Sequence, residues 1–320
     1  MKKFIMLFIS ILTMFTLCGC ISESSYSDSG GKVKIVDDNK RTVVLEKVPQ
    51  RIVVLSPSFL EILEKFDAKI VGRATTKIGK IPTSAQKIDE VGYVFNINIE
   101  KVIGLKPDLV IAYKGMHERY LQILESNHIP VIVLNLKSYD DVKHSLVVLG
   151  KVMGQKTKGE KLADELDADI QRIAKHLPNK PHSVAILHAT SMGITLEKET
   201  SIAGCCAKLL RLKNIMDSKN TPPVPGPMGS QTDMAPYSLE YLVEKDPQII
   251  FITSMGAEEE IKGKMQNELM GNRAWRNLTA VKCNNVFYLP DELFLLNPGL
   301  RYTQAVQLMA AKLQSATFND

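Results

Sequence analysis

One phrase occurs twice in this chain and narrows the folds open to it. Ile99-Glu100-Lys101-Val102 leads to Pro107-Asp108-Leu109-Val110-Ile111, and Leu239-Glu240-Tyr241-Leu242 leads to Pro247-Gln248-Ile249-Ile250-Phe251. In both copies Glu precedes Pro by seven residues, and a strand-like apolar run begins just after the Pro. Each copy reads as a short helix, a tight turn at Pro and a buried strand. One copy lies on each side of a helical stretch from Tyr139 to Leu177. That placement predicts two similar lobes, a rigid connector and a cleft between them.

The segments around the two copies agree. Val33–Val36 and Arg41–Leu45 flank the polar turn Asp37-Asp38-Asn39-Lys40 and read as a hairpin. Arg51–Leu55 is a buried-strand run, and Ser56-Pro57 opens a helix through Phe66, since Pro fits the first helical turn. Strands are expected at Ile70–Gly72, Leu109–Ala112, Val131–Leu134, Ser183–Leu187, Ile249–Thr253 and Val286–Leu289. Helices are expected at Ile99–Leu105, Met116–Asn127 and Pro298–Ala316. Such alternation predicts parallel sheets covered by helices. Between Tyr139 and Leu177 apolar residues recur at helical spacing with no interrupting Pro. This predicts one long helix, with Gly150, Gly154 and Gly159 as the place for a kink.

The N-terminus reads as an address. Lys2 and Lys3 precede an uncharged apolar run from Phe4 to Leu17, too short to span a bilayer comfortably. The run ends in Leu17-Cys18-Gly19-Cys20, which resembles the lipobox of bacterial lipoproteins. By that resemblance residues 1–19 are a signal peptide, and Cys20 carries lipid. Residues 20–31, rich in Ser and Gly, are a flexible tether. Two acyl chains suffice for stable anchoring to a membrane surface. Losing Lys2 and Lys3 lowers the formal charge from +5 to +3. The 320-residue length suits about two domains. No run of five Lys/Arg appears, so nucleic acid is not an expected partner. Cys205, Cys206 and Cys283 read as free thiols, the first two on a helix near Gly204, and their spacing is not that of a zinc site.

Taken in order, several motifs resemble the substrate-binding lipoproteins of ABC importers for iron-siderophores, haem and cobalamin. They are Arg51-Ile52-Val53 with Ser56-Pro57 and Glu61, then Val71-Gly72. Asn98-Ile99-Glu100 follows, with Leu105-Lys106-Pro107-Asp108-Leu109-Val110. Ser238-Leu239-Glu240 comes next, and Trp275 through Val281 to Val286-Phe287 completes the set. The resemblance implies an α/β fold of two Rossmann-like lobes joined by one long α-helix, with a ligand cleft between them and little closure. The expected bounds are 32–138 for the N-terminal lobe, 139–178 for the connecting helix and 179–320 for the C-terminal lobe. It also implies an ABC importer permease dimer with its ATPase as partner, docked by one acidic residue on each lobe. Glu100 and Glu240 match those positions. The expected location is the outer face of the bacterial cytoplasmic membrane, or its periplasmic side where two membranes are present.

In open α/β sheets, ligands gather beyond the carboxyl ends of strands. That rule selects Tyr93, Tyr113, Lys114, Met116, His117, His188, Met192 and Met255. The loop Thr221–Pro236 adds Met228, and the C-terminal helix adds Arg301. A ferric siderophore would meet Arg73, Tyr113, Lys114, Arg301 and Tyr302. Haem iron accepts His, Met or Tyr, so His188, Met255, Tyr93 and His117 are eligible, with His188 or Met255 as the direct ligand. A ferric siderophore ranks first and haem second. Cobalamin ranks third, because Trp275 is the only Trp. A non-transport surface lipoprotein or adhesin is the alternative outside transport. Six dispersed histidines do not build a bare-metal site. Nothing points to an enzyme or a catalytic cofactor. His117-Glu118 begins like a zincin helix, but Leu121 stands where the second His belongs, and G-x-S-x-G, Walker and G-x-G-x-x-G motifs do not occur.

Overall fold

The computed structural model describes residues 32–318 apart from 79, 178–179, 217–223, 227–228, 232, 257 and 297. The signal peptide, Cys20, the tether and Met228 therefore lie outside the described residues. Among the described residues no helix is long and apolar enough to cross a membrane.

The N-terminal lobe opens with the expected hairpin, β1 (Val33–Val36) and β2 (Thr42–Leu45). Then come β3 (Ile52–Val54), α1 (Leu60–Glu64), β4 (Ile70–Thr75), β5 (Glu90–Tyr93) and β6 (Asn96–Ile97). The lobe continues with α2 (Ile99–Gly104), β7 (Leu109–Tyr113), α3 (Leu121–Ser126) and β8 (Val131–Leu134). Its sheet runs in the order β6-β5-β4-β3-β7-β8, parallel except for β5 with β6.

β8 ends that sheet, and the hairpin turn covers its edge. Asp38 N–H donates to Val133 O at 3.0 Å, and Val133 N–H to Asp37 Oδ2 at 3.2 Å. Asp38 also accepts from Asn135 N–H at 2.6 Å, and Arg41 Nη2 donates to Val131 O at 2.8 Å. Polar turn residues thus take up donors and acceptors that would otherwise template aggregation.

The stretch predicted as one helix is two. α4 (Tyr139–Val152) ends in Gly154 at φ +67°, and α5 (Lys156–Lys175) runs back along it. Left-handed backbone favours Gly, so Gly154 is the stop signal of α4. Gly150 and Gly159 are where the two helices touch, not sites of a kink. A Cβ on Gly150 would lie 2.8 Å from Gly159 Cα, and one on Gly159 2.5 Å from Leu146 O. At the other end of the pair, Lys143 Nζ meets Asp167 at 2.8 Å. The long connector is therefore α5, with 20 residues spanning about 30 Å.

The C-terminal lobe begins with β9 (Ser183–Thr190), β10 (Gly193–Glu197), α6 (Ile202–Leu209) and β11 (Lys213–Asn214). After β12 (Val224–Gly226), β13 (Gly229–Gln231) and β14 (Met234–Pro236) come α7 (Leu239–Lys245), β15 (Ile249–Met255) and α8 (Glu258–Met265). The chain ends with α9 (Arg273–Asn277), α10 (Thr279–Lys282), β16 (Val286–Tyr288), α11 (Asp291–Phe294) and α12 (Tyr302–Ser315). The main sheet runs β14-β10-β9-β15-β16, with β11 also on β9. β10 and β14 are antiparallel, so this sheet is mixed where a parallel one was expected.

Alternation along the strands sorts the core into three clusters. Ile52, Val54, Leu109, Ile111, Ile132 and Leu134 of the first sheet join Val184, Ile186, Ile249 and Phe251 of the second in one cluster with α4, α5 and α12. The opposite faces hold separate clusters, around Val53 and Val110 in one lobe and around Leu187 and Ile250 in the other. Each sheet is covered on both sides, and the shared cluster ties the lobes together. Cys205, Cys206 and Cys283 are free thiols, with Cys206 buried in α6.

Candidate functional site at the junction of the lobes

The repeated phrase folds the same way twice. Asn98 and Ser238 each cap a helix by accepting from the backbone N–H three residues on, at 3.0 Å from Lys101 and 3.2 Å from Tyr241. Glu100 and Glu240 occupy the second position of their helices, and both are exposed. A hydrogen bond from its own backbone N–H, and then one from Ser238, hold the Glu240 carboxyl below its ordinary value. Lys106 and Asp246, each just before Pro, are left-handed at φ 47° and 39°. After the Pro, Asp108 accepts from the N–H groups of Gln50 and Arg51, both at 2.8 Å. Gln248 accepts from Ser183 N–H at 3.2 Å in the same place of the second lobe. The two glutamates are thus structural equivalents, one on each lobe.

Between the lobes lies a narrow recess that opens to solvent. Pro57, Ser58 and Glu61 line it with Thr76, Ile78, Lys80 and Pro82, which follow β4. From the other lobe come Glu292, Leu296, Pro298 and Arg301. Arg301 Nε stands 3.4 Å from Glu61 Oε1 across the junction. Burial pushes the Glu61 carboxyl up, against the pull of Arg301. A second ion pair, Lys137 to Asp233 at 2.5 Å, also links the lobes.

Among the described residues expected in the cleft, Arg301 alone lines this recess. His117 is 0% exposed, and both its ring nitrogens are used. Nδ1 accepts from Tyr113 N–H at 3.0 Å, and Nε2–H donates to Val94 O at 2.8 Å. Burial holds its pKa below the usual histidine value. It is a neutral clamp, not an iron ligand. Tyr93 and Met116 pack into the cluster around Val53, on the face turned from the shared core, and Tyr93 meets Phe95 edge-on at 5.3 Å. Lys114 reaches back to Asp38 O at 2.8 Å. Tyr113 packs beside Phe59, and burial, with the Asp141 and Asp233 carboxylates, raises its phenol. Arg73 is buried and donates to Ala85 O and Glu90, while Tyr302 is a fully buried core residue against Tyr139.

In the second lobe β9 runs on past the expected strand end. Met192 sits at the tip of the β9–β10 turn, 73% exposed, and does not line the recess. His188 is only 6% exposed. Its Nδ1–H donates to Thr253 Oγ1 at 2.8 Å, and Thr253 in turn donates to Glu197. That chain fixes the tautomer and leaves Nε2 as the acceptor nitrogen. Met255 is half-buried at the end of β15. Among the described residues no group of three His, Cys, Asp or Glu is arranged to hold a metal. Sequence reasoning missed Thr76, Lys80 and Glu292, and it used Glu61 only as a motif residue. The strand-end rule pointed to Thr76, the first residue after β4.

A model of the periplasmic binding protein family matches residues 52–293. The chain belongs to this family. Its relatives include an uncharacterised ABC transporter substrate-binding lipoprotein, YvrC, of Bacillus subtilis, 26% identical over 97% of this chain and 96% of that protein. The Fe(3+)-citrate-binding protein YfmC of Bacillus subtilis is 25% identical over 87% of this chain and 86% of its own length. The crystal structure of Staphylococcus aureus IsdE complexed with heme superposes at a TM-score of 0.68, with 23% identity, covering 82% of this chain and 98% of that one. Across the family match the two-lobed fold accounts for the repeated phrase.

Proposed function

We propose that this periplasmic binding protein is the extracytoplasmic substrate-binding lipoprotein of an ABC importer and that it captures an iron chelate. The observation that carries the reading is the recess built jointly by both lobes, with cationic Arg301 and Lys80 in its walls. A ferric siderophore is the ligand proposed first, and the Fe(3+)-citrate-binding relative supports an anionic chelate. Cys20 carries the lipid that holds the protein at the outer face of the cytoplasmic membrane. Glu100 and Glu240 dock it onto a permease dimer, where two equivalent carboxylates meet a two-fold partner. Residues 32–138 and 179–320 are the bounds proposed for the two lobes.

Haem is the second reading, supported by the relative complexed with it and by Met255 at a strand end. The test is an absorption spectrum of the protein with haem, and then with ferric catecholate and hydroxamate chelates. Quenching of buried Trp275 by a ferric siderophore supports the first reading. A Soret band that shifts in Met255→Ala supports haem. Response to none of them defeats the iron-chelate reading and leaves a surface lipoprotein without a chelate.

A further inference from the structure

The backbone that carries Arg301 is packed tightly at the mouth of the recess. It ends the turn Gly299–Arg301 that leads into α12. Gly299 has φ +57°, and a Cβ there would fall 2.7 Å from Ser58 O of the other lobe. Only Gly permits that approach, so the turn is pressed against the N-terminal lobe with Arg301 at the seam.

The guanidinium is poorly served where it stands. Its Nε is buried, and the N–H has no hydrogen-bond partner. Glu61 lies at ion-pair distance, 3.4 Å, without completing a hydrogen bond. A buried, unpaired N–H is costly, and an Arg fork is best satisfied by two parallel bonds to one carboxylate. Glu61 approaches from the opposite lobe and supplies charge without that geometry. Its own carboxyl is disfavoured by burial, which Arg301 only partly offsets. Lys80 and Glu292 add a second cation and a second anion to the same walls.

We propose that Glu61 is a stand-in on Arg301 for a carboxylate of the ligand, and that the recess therefore selects iron chelates bearing free carboxylates. The ligand carboxylate takes the Arg301 fork in place of Glu61, so the charge at the fork is unchanged, and Glu61 acts as an internal competitor. This rests on the iron-chelate reading above and narrows its ligand class.

The test uses the full chain in detergent and three probes: ferric citrate, haem with its two propionates, and a ferric trihydroxamate without carboxylates. Binding is read by tryptophan quenching in the wild type, Arg301→Gln, Arg301→Lys and Glu61→Gln, with thermal melts confirming folding. Arg301→Gln is expected to weaken a carboxylate-bearing probe roughly tenfold or more while leaving the trihydroxamate unchanged. Arg301→Lys restores the charge without the fork and recovers only part of the loss. Glu61→Gln removes the competitor and tightens the carboxylate-bearing probe severalfold. Wild-type binding of the trihydroxamate alone overturns the proposal and spares the iron-chelate reading. Equal loss of all probes in Arg301→Gln, no loss of any, or weaker carboxylate binding in Glu61→Gln also overturns it. If the wild type binds none of the three, the iron-chelate reading itself falls and takes this proposal with it.

Discussion

The two lobes share a unit and finish it differently. In each, a capped helix, a left-handed residue, a Pro and a buried strand follow in the same order, and the residue after the Pro ties down the neighbouring strand. In the N-terminal lobe the neighbour, β3, is three residues long and gives way at Ser56-Pro57 to a helical turn. In the C-terminal lobe the neighbour, β9, runs eight residues and folds back as β10. The histidines after β7 and in β9 diverge too. His117 is bonded wholly to backbone, and His188 to a threonine that leans on a glutamate. The shared part builds the frame. The divergent ends give one lobe a self-satisfied rim and the other a chain of buried polar side chains.

The equivalence of the lobes can be broken first at Glu100 and Glu240. Replacing both with Ala is expected to abolish uptake of a labelled iron chelate by cells while the purified protein binds it as before. Each single change should leave reduced but measurable uptake, since one docking point survives. Normal uptake by the double variant, or loss of chelate affinity, would refute the docking role. If one glutamate carries the whole effect, the lobes are equivalent in fold and not in use.

His117 sharpens the contrast between the rims. His117→Ala leaves a buried N–H and a buried C=O without partners and opens a cavity, at a cost of about 3 kcal/mol. His188→Ala also opens a cavity but breaks one hydrogen bond where His117→Ala breaks two, and should cost less, about 2 kcal/mol. The pH dependence has a definite sign. Burial lowers the His117 pKa from 6.5, so the unfolded chain takes up the proton first. Stability is therefore lost as pH falls through about 6.5 toward the folded value. Protonation would also put a second donor against Tyr113 N–H. Urea unfolding at neutral and mildly acidic pH should show this loss in the wild type and less of it in His117→Ala. An equal loss in both would remove His117 from the account.

The sequence exposed the frame because its signals are local. Apolar runs such as Ile249–Phe251, each set off by a Pro, declare buried strands. Apolar spacing alone could not separate α4 from α5, because the helices share one apolar stripe across their turn. Gly154 was the readable signal, a Gly placed where a helix ends. The β9–β10 turn was hidden because His188 breaks the apolar run after Leu187, so the strand reads as ending there, and its partner begins within three residues of Thr190. The recess was hardest to read. Its walls come from three separate stretches, around Glu61, Lys80 and Arg301, and only the fold brings Glu61 to Arg301. Choosing residues by chemistry type favoured His and Met at strand ends, and packing had already claimed His117 and Met116.

The finest division between the lobes lies in the residue after each Pro. Asp108 is a carboxylate accepting two backbone N–H groups at 2.8 Å, and charge-assisted bonds are the stronger kind. Gln248 is a neutral amide whose oxygen accepts from Ser183 N–H at 3.2 Å and lies 3.3 Å from His182 Nδ1. Both residues are half-exposed, so water recovers part of each loss. Asp108→Ala is expected to cost about 1–2 kcal/mol, and Gln248→Ala about half that. Asp108→Asn should fall between them, since it keeps one acceptor oxygen and loses the charge. Chemical denaturation of the three variants checks the order. If Gln248→Ala proves the costlier, the C-terminal lobe depends on its tie more than hydrogen-bond chemistry allows, because the stacking of His182 on Phe318 at 3.7 Å then depends on the same amide.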